Sequence, residues 1–196
     1  MIQNNNDTCA PFVHINNETC ILPCLEKALI PFLATAQRNP VSRRRICGVL
    51  SYTVDTNDET DPCDHCIAYA VTICSQIQIT IFDPALKHYT KTRRNTFHRT
   101  WADMIGKGIR SVVCSHLDTR RGGAFMGVPR HEIVTSETWS RDGAPWQLDA
   151  QSRTDKYCYM YCIIYLQSIL SGTNHRSRDD VHKHIHAWVE KVTNNV

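Results

Sequence analysis

A chain of 196 residues is long enough to bury a substantial core and short enough to be one domain, so residues 1–196 are read as a single unit. With 42% hydrophobic and 21% charged residues it has an ordinary globular composition, which excludes disordered and fibrous classes. No apolar run reaches the roughly 20 residues a membrane-spanning helix needs, and a formal charge of +3 is too mild to dictate a polyanionic partner.

Residues 1–19 are polar and Asn-rich, and read as a loosely ordered N-terminal arm. From Cys20 to Gln37 apolar residues recur at helical spacing, interrupted by Pro23 and Pro31. ICGVLSYTV, 46–54, predicts a short strand, and DTNDETDPCD, 55–64, an acidic loop. IAYAVTIC and QIQITIF form the clearest strand pair. In the second, Ile77, Ile79 and Ile81 alternate with Gln78, Thr80 and Phe82, the period of a half-buried strand. Trp101 to Ile109 is a weak helical pattern, SVVCSHL (111–117) a strand, RRGGAFMGVPR (120–130) a Gly-rich loop and EIVTSETWS (132–140) a further strand. Tyr157 to Leu170 is apolar almost all round, which predicts a buried central helix. Asp180 to Val192 predicts a last amphipathic helix with Val181, Ile185, Trp188 and Val192 on one face. There is no internal repeat. The sum is an α+β chain, a mixed sheet packed on a buried central helix.

Two places carry chemistry. His65 precedes the first strand of the pair and Asp83 follows the second, nearly symmetric about Cys74. A tight turn at Cys74 sets them opposite each other, about 4.5–5.5 Å apart, where a carboxylate can orient an imidazole. Cys158 opens the buried helix, with Thr154 or Asp155 as its cap, so unpaired backbone N–H groups and the helix dipole favour a thiolate. A nearby histidine lowers the thiol further and protonates a leaving amine. Gln151, on the approach loop, offers an amide to a developing oxyanion beside the Cys158 N–H.

The order His, acid ending the next strand, Gln, Cys opening a buried helix resembles the adenovirus-protease-like (adenain) cysteine proteases, whose clan also holds the proteases that process SUMO and related modifiers. Phe82-Asp83-Pro84 is similar to the aromatic, acid and proline that close the family's hairpin. Gln151 stands seven residues before Cys158, as in the family, and CYMYCIIYL (158–166) is similar to the aromatics and second cysteine that follow the family's nucleophile. The resemblance covers residues 63–86 and 147–170, about half the chain. It implies the adenain/SUMO-protease fold, with Cys158 as nucleophile, His65 as base, Asp83 as its orienter and Gln151 as oxyanion donor. Two positions depart from the pattern: Cys66 stands where the family usually has tryptophan, and Tyr159 where it usually has glycine.

The same resemblance implies a cysteine endopeptidase cutting after small residues, at Gly-Gly or Gly-X-Gly sites. It would be a viral or virus-like maturation protease acting on precursor proteins in the virion or host nucleus. The alternative within the clan is an isopeptidase acting on ubiquitin-like modifiers. No cofactor is required; a peptide or DNA activator enters by family analogy alone. A monomer without membrane attachment is expected.

Readings from other classes rest on the cysteines and arginines. The start MIQNNNDTCAPF lacks the basic-then-apolar order of a secretory leader, so the ten cysteines are expected to be reduced thiols in an intracellular, reducing compartment. A structural zinc module has ligand-like pairs in Cys20/Cys24, Cys63/Cys66 and Cys158/Cys162 and in His182, His184 and His186. Only Cys63 and Cys66 have the two-residue gap of structural sites, and the three histidines cannot share one helix face. Arginines at 43–45, 91–94 and 120–121 read first as solvated surface, and keep nucleic-acid binding as a secondary reading without an aromatic recognition motif.

Overall fold

The computed structural model describes residues 7–37, 44–54, 63–74, 76–86, 93–117, 129–146, 157–172 and 176–194. In chain order these form β1 (Asp7–Cys9), β2 (Val13–Ile15), a 3-10 turn, α1 (Ile21–Gln37), β3 (Arg44–Val54), β4 (Cys63–Ile73), β5 (Ile77–Asp83), α2 (Arg93–His116), β6 (Arg130–Thr135), α3 (Ser136–Trp139), α4 (Cys158–Ser171) and α5 (Arg178–Thr193). The fold is α+β with one mixed sheet. Its order is β1-β3-β4-β5-β6, and β2 pairs with β3 as well. The central pairs β3–β4 and β4–β5 are antiparallel, while β1, β2 and β6 run parallel to their neighbours. The parallel pairs follow from the crossovers: α1 carries the chain from β2 to β3, and α2 carries it from β5 to β6.

Strand alternation divides the core in two. Ile67, Tyr69, Val71 and Ile73 of β4 join Ile46, Leu50 and Tyr52 of β3 and Ile77, Ile79 and Ile81 of β5 under α1 and α2. The other face presents Cys47, Val49, Ala68, Ala70 and Phe82 to α4 and α5. Both faces of β4 are therefore covered, and its run IAYAVTI is apolar at nearly every position, as sheets covered on both sides require. On α4 the buried residues are Tyr161, Cys162, Ile164, Tyr165, Leu166 and Ser168, and the helix stops at Gly172, whose φ of +64° suits a residue without a Cβ.

Several expectations are corrected. The N-terminal segment is not a loose arm from Asp7 onward: β1 and β2 pair with β3, and His14 Nδ1 meets the Ser51 hydroxyl at 2.8 Å. The strand expected at 111–117 is the end of α2. Its β-branched Val112 and Val113 extend the helical stripe of Trp101, Ile105 and Ile109, and burial of that stripe overrides local strand preference. The predicted strand at 132–140 ends at Thr135, whose hydroxyl caps α3. Helix α1 runs through Pro31 rather than breaking, because Leu25, Ala28, Leu29 and Leu33 are all buried along one face and offset the roughly 3 kcal/mol a helix-interior proline costs. On α5, Val181 and Ile185 are buried as expected, but Trp188 and Val192 are exposed. The expected loops at 55–64 and 120–130 lie largely outside the described residues.

Gly48 of β3 pairs with Tyr69 of β4, and a Cβ at Gly48 would come within 2.5 Å of the Tyr69 ring. Gly48→Ala is expected to cost about 1–3 kcal/mol, as overpacking in a filled core does. A denaturant titration checks this as a lowered midpoint at unchanged slope; an unmoved midpoint would mean the ring swings aside freely.

Candidate active site

The end of the β4–β5 hairpin holds a buried acid–base pair. His65 Nε2 lies 2.8 Å from Asp83 Oδ1, with His65 5% exposed and Asp83 fully buried. The pairing register runs from Ile73–Ile77 to Ala68–Phe82, so the hairpin centres one residue beyond Cys74. His65 and Asp83 are therefore diagonal neighbours on one face rather than directly opposite, and their side chains span the offset. The same Asp83 oxygen accepts the Ala85 N–H at 2.9 Å, which ties the carboxylate to the turn that follows β5.

With Nε2 donating to Asp83, the His65 nitrogen left for a nucleophile is Nδ1. The Cys158 sulfur lies beside the His65 ring and beside Cys66, near enough for both to act on its charge. Cys158 is the first residue of α4. Tyr157, not Thr154 or Asp155, is the residue preceding the helix, and it makes no side-chain capping bond. The N–H groups of the first turn are thus not consumed by a side-chain cap from Tyr157 and face the end where the sulfur sits.

These contacts set the charges. Donation from the Cys66 thiol is the largest influence on Cys158, burial opposes it, and the hydrogen bond and charge of His65 add to it; the net effect holds Cys158 well below its ordinary 9.0. Cys66 moves the opposite way, chiefly because its thiol is the donor to Cys158 and because it is buried. Of two sulfurs sharing a proton, Cys158 is the one that loses it, since it also faces the imidazole and the helix N-terminus. For His65, burial disfavours the cation, but the Asp83 charge and hydrogen bond and the Cys158 contact outweigh it and raise the ring to about 10. Burial works against ionised Asp83 too, and is overcome by the charge and hydrogen bond of His65, then by His98 and the Ala85 N–H. Together these influences favour a thiolate–imidazolium pair backed by a carboxylate.

Of the four residues the sequence singles out, the structure brings together His65, Asp83 and Cys158; Gln151 lies outside the described residues. Three further participants were not anticipated. His98 of α2 is 2% exposed and lies with its ring centroid 4.5 Å from that of His65. Tyr52 of β3 meets His65 edge-on and bonds His98 Nδ1 at 2.8 Å. Phe12 meets Tyr159 edge-on at 6.0 Å, both rings being about half exposed, so Tyr159, next in sequence to Cys158, lies at the surface. The available sequence signal for His98 was its place on the stripe with Ala102, Ile105 and Ile109, a polar group on a helix face that is otherwise core. Nothing local in the sequence marks Phe12.

The zinc-ligand pairs considered from sequence assemble into no group of three among the described residues; the trio that does is His65, Asp83 and His98. His65 and Asp83 bond each other, and His98 Nδ1 is engaged with the Tyr52 hydroxyl. His182 is engaged with the Trp146 carbonyl at 2.7 Å. Nine described cysteines are free thiols. Arg45 is spent on the fold, bonding the Ile169 carbonyl and pairing with Asp7 at 3.9 Å. No described helix is long and apolar enough to cross a membrane.

The charge pattern fixes a sign for pH dependence. Below the lowered Cys158 value the sulfur is a thiol; above about 10 His65 loses its proton, so the ion pair exists between these limits. Iodoacetamide should therefore alkylate Cys158 fast at about pH 6, where an ordinary thiol is inert. In Asp83→Asn the imidazolium loses its counter-charge, and the window should close from both ends. Mass spectrometry of the Cys158 peptide across pH reads this out, and an Asp83→Asn profile matching the parent would contradict the ion-pair assignment.

No family model and no curated protein matches the chain. Among solved structures, the Legionella pneumophila effector protein RavZ superposes with a TM-score of 0.43 at 13% identity, over 87% of this chain and 47% of that one. RavZ in complex with human LC3B gives 0.41 at 14%, over 84% and 38%. The ASFV pS273R protease gives 0.41 at 12%, over 87% and 57%. The chain thus spans between about a third and three fifths of these structures, and likeness at this level assigns neither family nor activity.

Proposed function

We propose that the protein is a cysteine endopeptidase of the adenain and SUMO-protease type, cutting polypeptides after small residues. The observation that carries this reading is the buried His65–Asp83 pair in contact with a sulfur at the start of α4, whose proton affinity is lowered. Such an arrangement is what nucleophilic attack on a peptide carbonyl requires.

In the reaction, the Cys158 thiolate attacks the scissile carbonyl and its oxygen becomes an oxyanion. The N–H groups opening α4 and the amide of Gln151 stabilise that charge. The tetrahedral intermediate collapses as the C–N bond breaks, and His65 delivers its Nδ1 proton to the departing amine. His65 then takes a proton from water, the hydroxide attacks the thioester, and Cys158 leaves again as thiolate. Asp83 keeps the ring aimed throughout. The preference for a residue with little or no side chain before the scissile bond is carried over from the family resemblance. Processing of viral or virus-like precursors, in a virion or host nucleus, is the biological role we assign, with removal of a ubiquitin-like modifier as the alternative the assay resolves.

Cys158→Ala should abolish cleavage of Gly-Gly peptides and capture by ubiquitin- and SUMO-derived electrophilic probes. Cleavage that survives this change, or probe attachment at another cysteine, would refute the assignment. Gln151→Ala should lower kcat by about 10²–10³-fold, the usual loss for an oxyanion donor, while leaving alkylation of Cys158 unchanged. Equal loss of both would place Gln151 in the fold rather than the reaction.

A further inference from the structure

Asp83 is fully buried, and both hydrogen bonds it accepts fall on Oδ1. Its Oδ2 is buried as well and accepts no hydrogen bond among the described residues. A buried carboxylate oxygen left to itself is costly, and it leaves the group free to pivot about the one oxygen that is held. On the α2 side of this carboxylate stands His98, 2% exposed. One ligating atom each of His98, His65 and Asp83 lies within 4.8 Å of the other two. No part of the reaction described above uses His98.

Its tautomer follows from Tyr52. That phenol is fully buried on β3, its ring stacks on Trp101 with centroids 4.6 Å apart, and its oxygen is 2.8 Å from His98 Nδ1. Burial, with the nearby Asp83 and Cys158 charges, holds Tyr52 well above its usual value, so the phenol keeps its proton, and we assign that proton to the bond with Nδ1. A neutral His98 then carries its own proton on Nε2. The opposite tautomer would turn a lone pair toward an anion, which the buried carboxylate disfavours.

We propose that His98 is a positioning residue for the reaction: with its tautomer assigned by Tyr52, it sets a polar ring nitrogen within 4.8 Å of both Asp83 and His65 and favours the anionic, aimed carboxylate across that short gap rather than through a hydrogen bond. The buried cluster then joins Tyr52, His98, Asp83, His65 and Cys158, drawn from β3, α2, β5, β4 and α4. These are the titratable groups that surround His98 and Asp83 among the described residues, together with Cys66 and Cys162 beyond the thiol. The proposal rests on the peptidase reading, because it assigns His98 to that reaction.

The test compares the full-length parent with His98→Phe, which keeps a ring against Tyr52 and Phe97 but has no N–H, and with His98→Gln, whose amide restores a donor near the Nε2 position. Two readouts are taken: kcat and KM on a Gly-Gly peptide, and the pH profile of Cys158 alkylation by iodoacetamide. In His98→Phe we expect kcat to fall by about 10- to 100-fold at nearly constant KM, as loss of alignment does. The lower limb of the alkylation profile should rise by about one pH unit, because a poorly held Asp83 supports the imidazolium less. His98→Gln should recover most of both. Loss of kcat with an unmoved alkylation profile, or no recovery by Gln, would make His98 a packing residue and overturn the proposal. If His98→Phe does not fold, Tyr52→Phe removes only the hydroxyl that sets the tautomer, and should shift the profile in the same direction by less; an unshifted profile there overturns the proposal equally. Absence of a low-pH reactive Cys158 in the parent itself would instead refute the peptidase reading on which this rests.

Discussion

The hydrogen bond between His65 and Asp83 is the contact around which this molecule is arranged. Stripping water from a carboxylate and an imidazolium costs several kcal/mol per ion, and one short charge-assisted bond, with the Ala85 N–H, must offset it. The bond survives burial only because both partners are delivered to the same place by backbone geometry. Adjacent antiparallel strands fix their spacing, and strand alternation puts both on the face toward α2. The remainder of the sheet can be seen as support for that register: β3 pairs along the whole length of β4, and β6 holds the outer edge of β5 up to Asp83 itself.

Cys158 reaches the pair from the other side. It comes from α4, which packs against the opposite face of the sheet, and it meets His65 where β4 begins. Cys66 is the hinge of this meeting. Its neighbour His65 turns toward α2, while its own side chain turns toward α4, so a single strand presents an imidazole to one layer and a thiol to the other. Cys162, one turn along α4, reaches the Cys66 carbonyl at 3.4 Å and sets the height of the helix against the strand. A tryptophan at position 66 would occupy that space with a ring; the smaller cysteine lets α4 sit where its first residue touches the imidazole.

How much of this could be read from the residues differs by element. The β4–β5 hairpin was legible because Ile77, Ile79 and Ile81 repeat every second residue, and α4 because its apolar run lacks a polar face. His65, Asp83 and Cys158 followed from those elements and their order. The register was off by one residue at the turn, since a hairpin's centre depends on backbone torsions at 74–76 that composition does not encode. Residues 111–117 misled because Val112 and Val113 favour strands locally, whereas their real partners are distant core residues of α1 and the sheet. The docking of β1 and β2 was invisible for a related reason: three-residue strands carry too few side chains to show a period, and their stability comes from β3. His98 and Tyr52 were missed because a pair across β3 and α2 exists only after both have been packed.

The placement of Cys158 at the far end of the chain from its histidine has a consequence for biogenesis. The thiol acquires its lowered proton affinity only when α4 has docked on a sheet whose strands come from the first half of the sequence. Contacts so distant in sequence carry a large loop-closure cost and form late in folding. A nascent or half-folded chain therefore exposes an ordinary cysteine, and the lowered proton affinity of Cys158 arises only with completion of the tertiary structure itself.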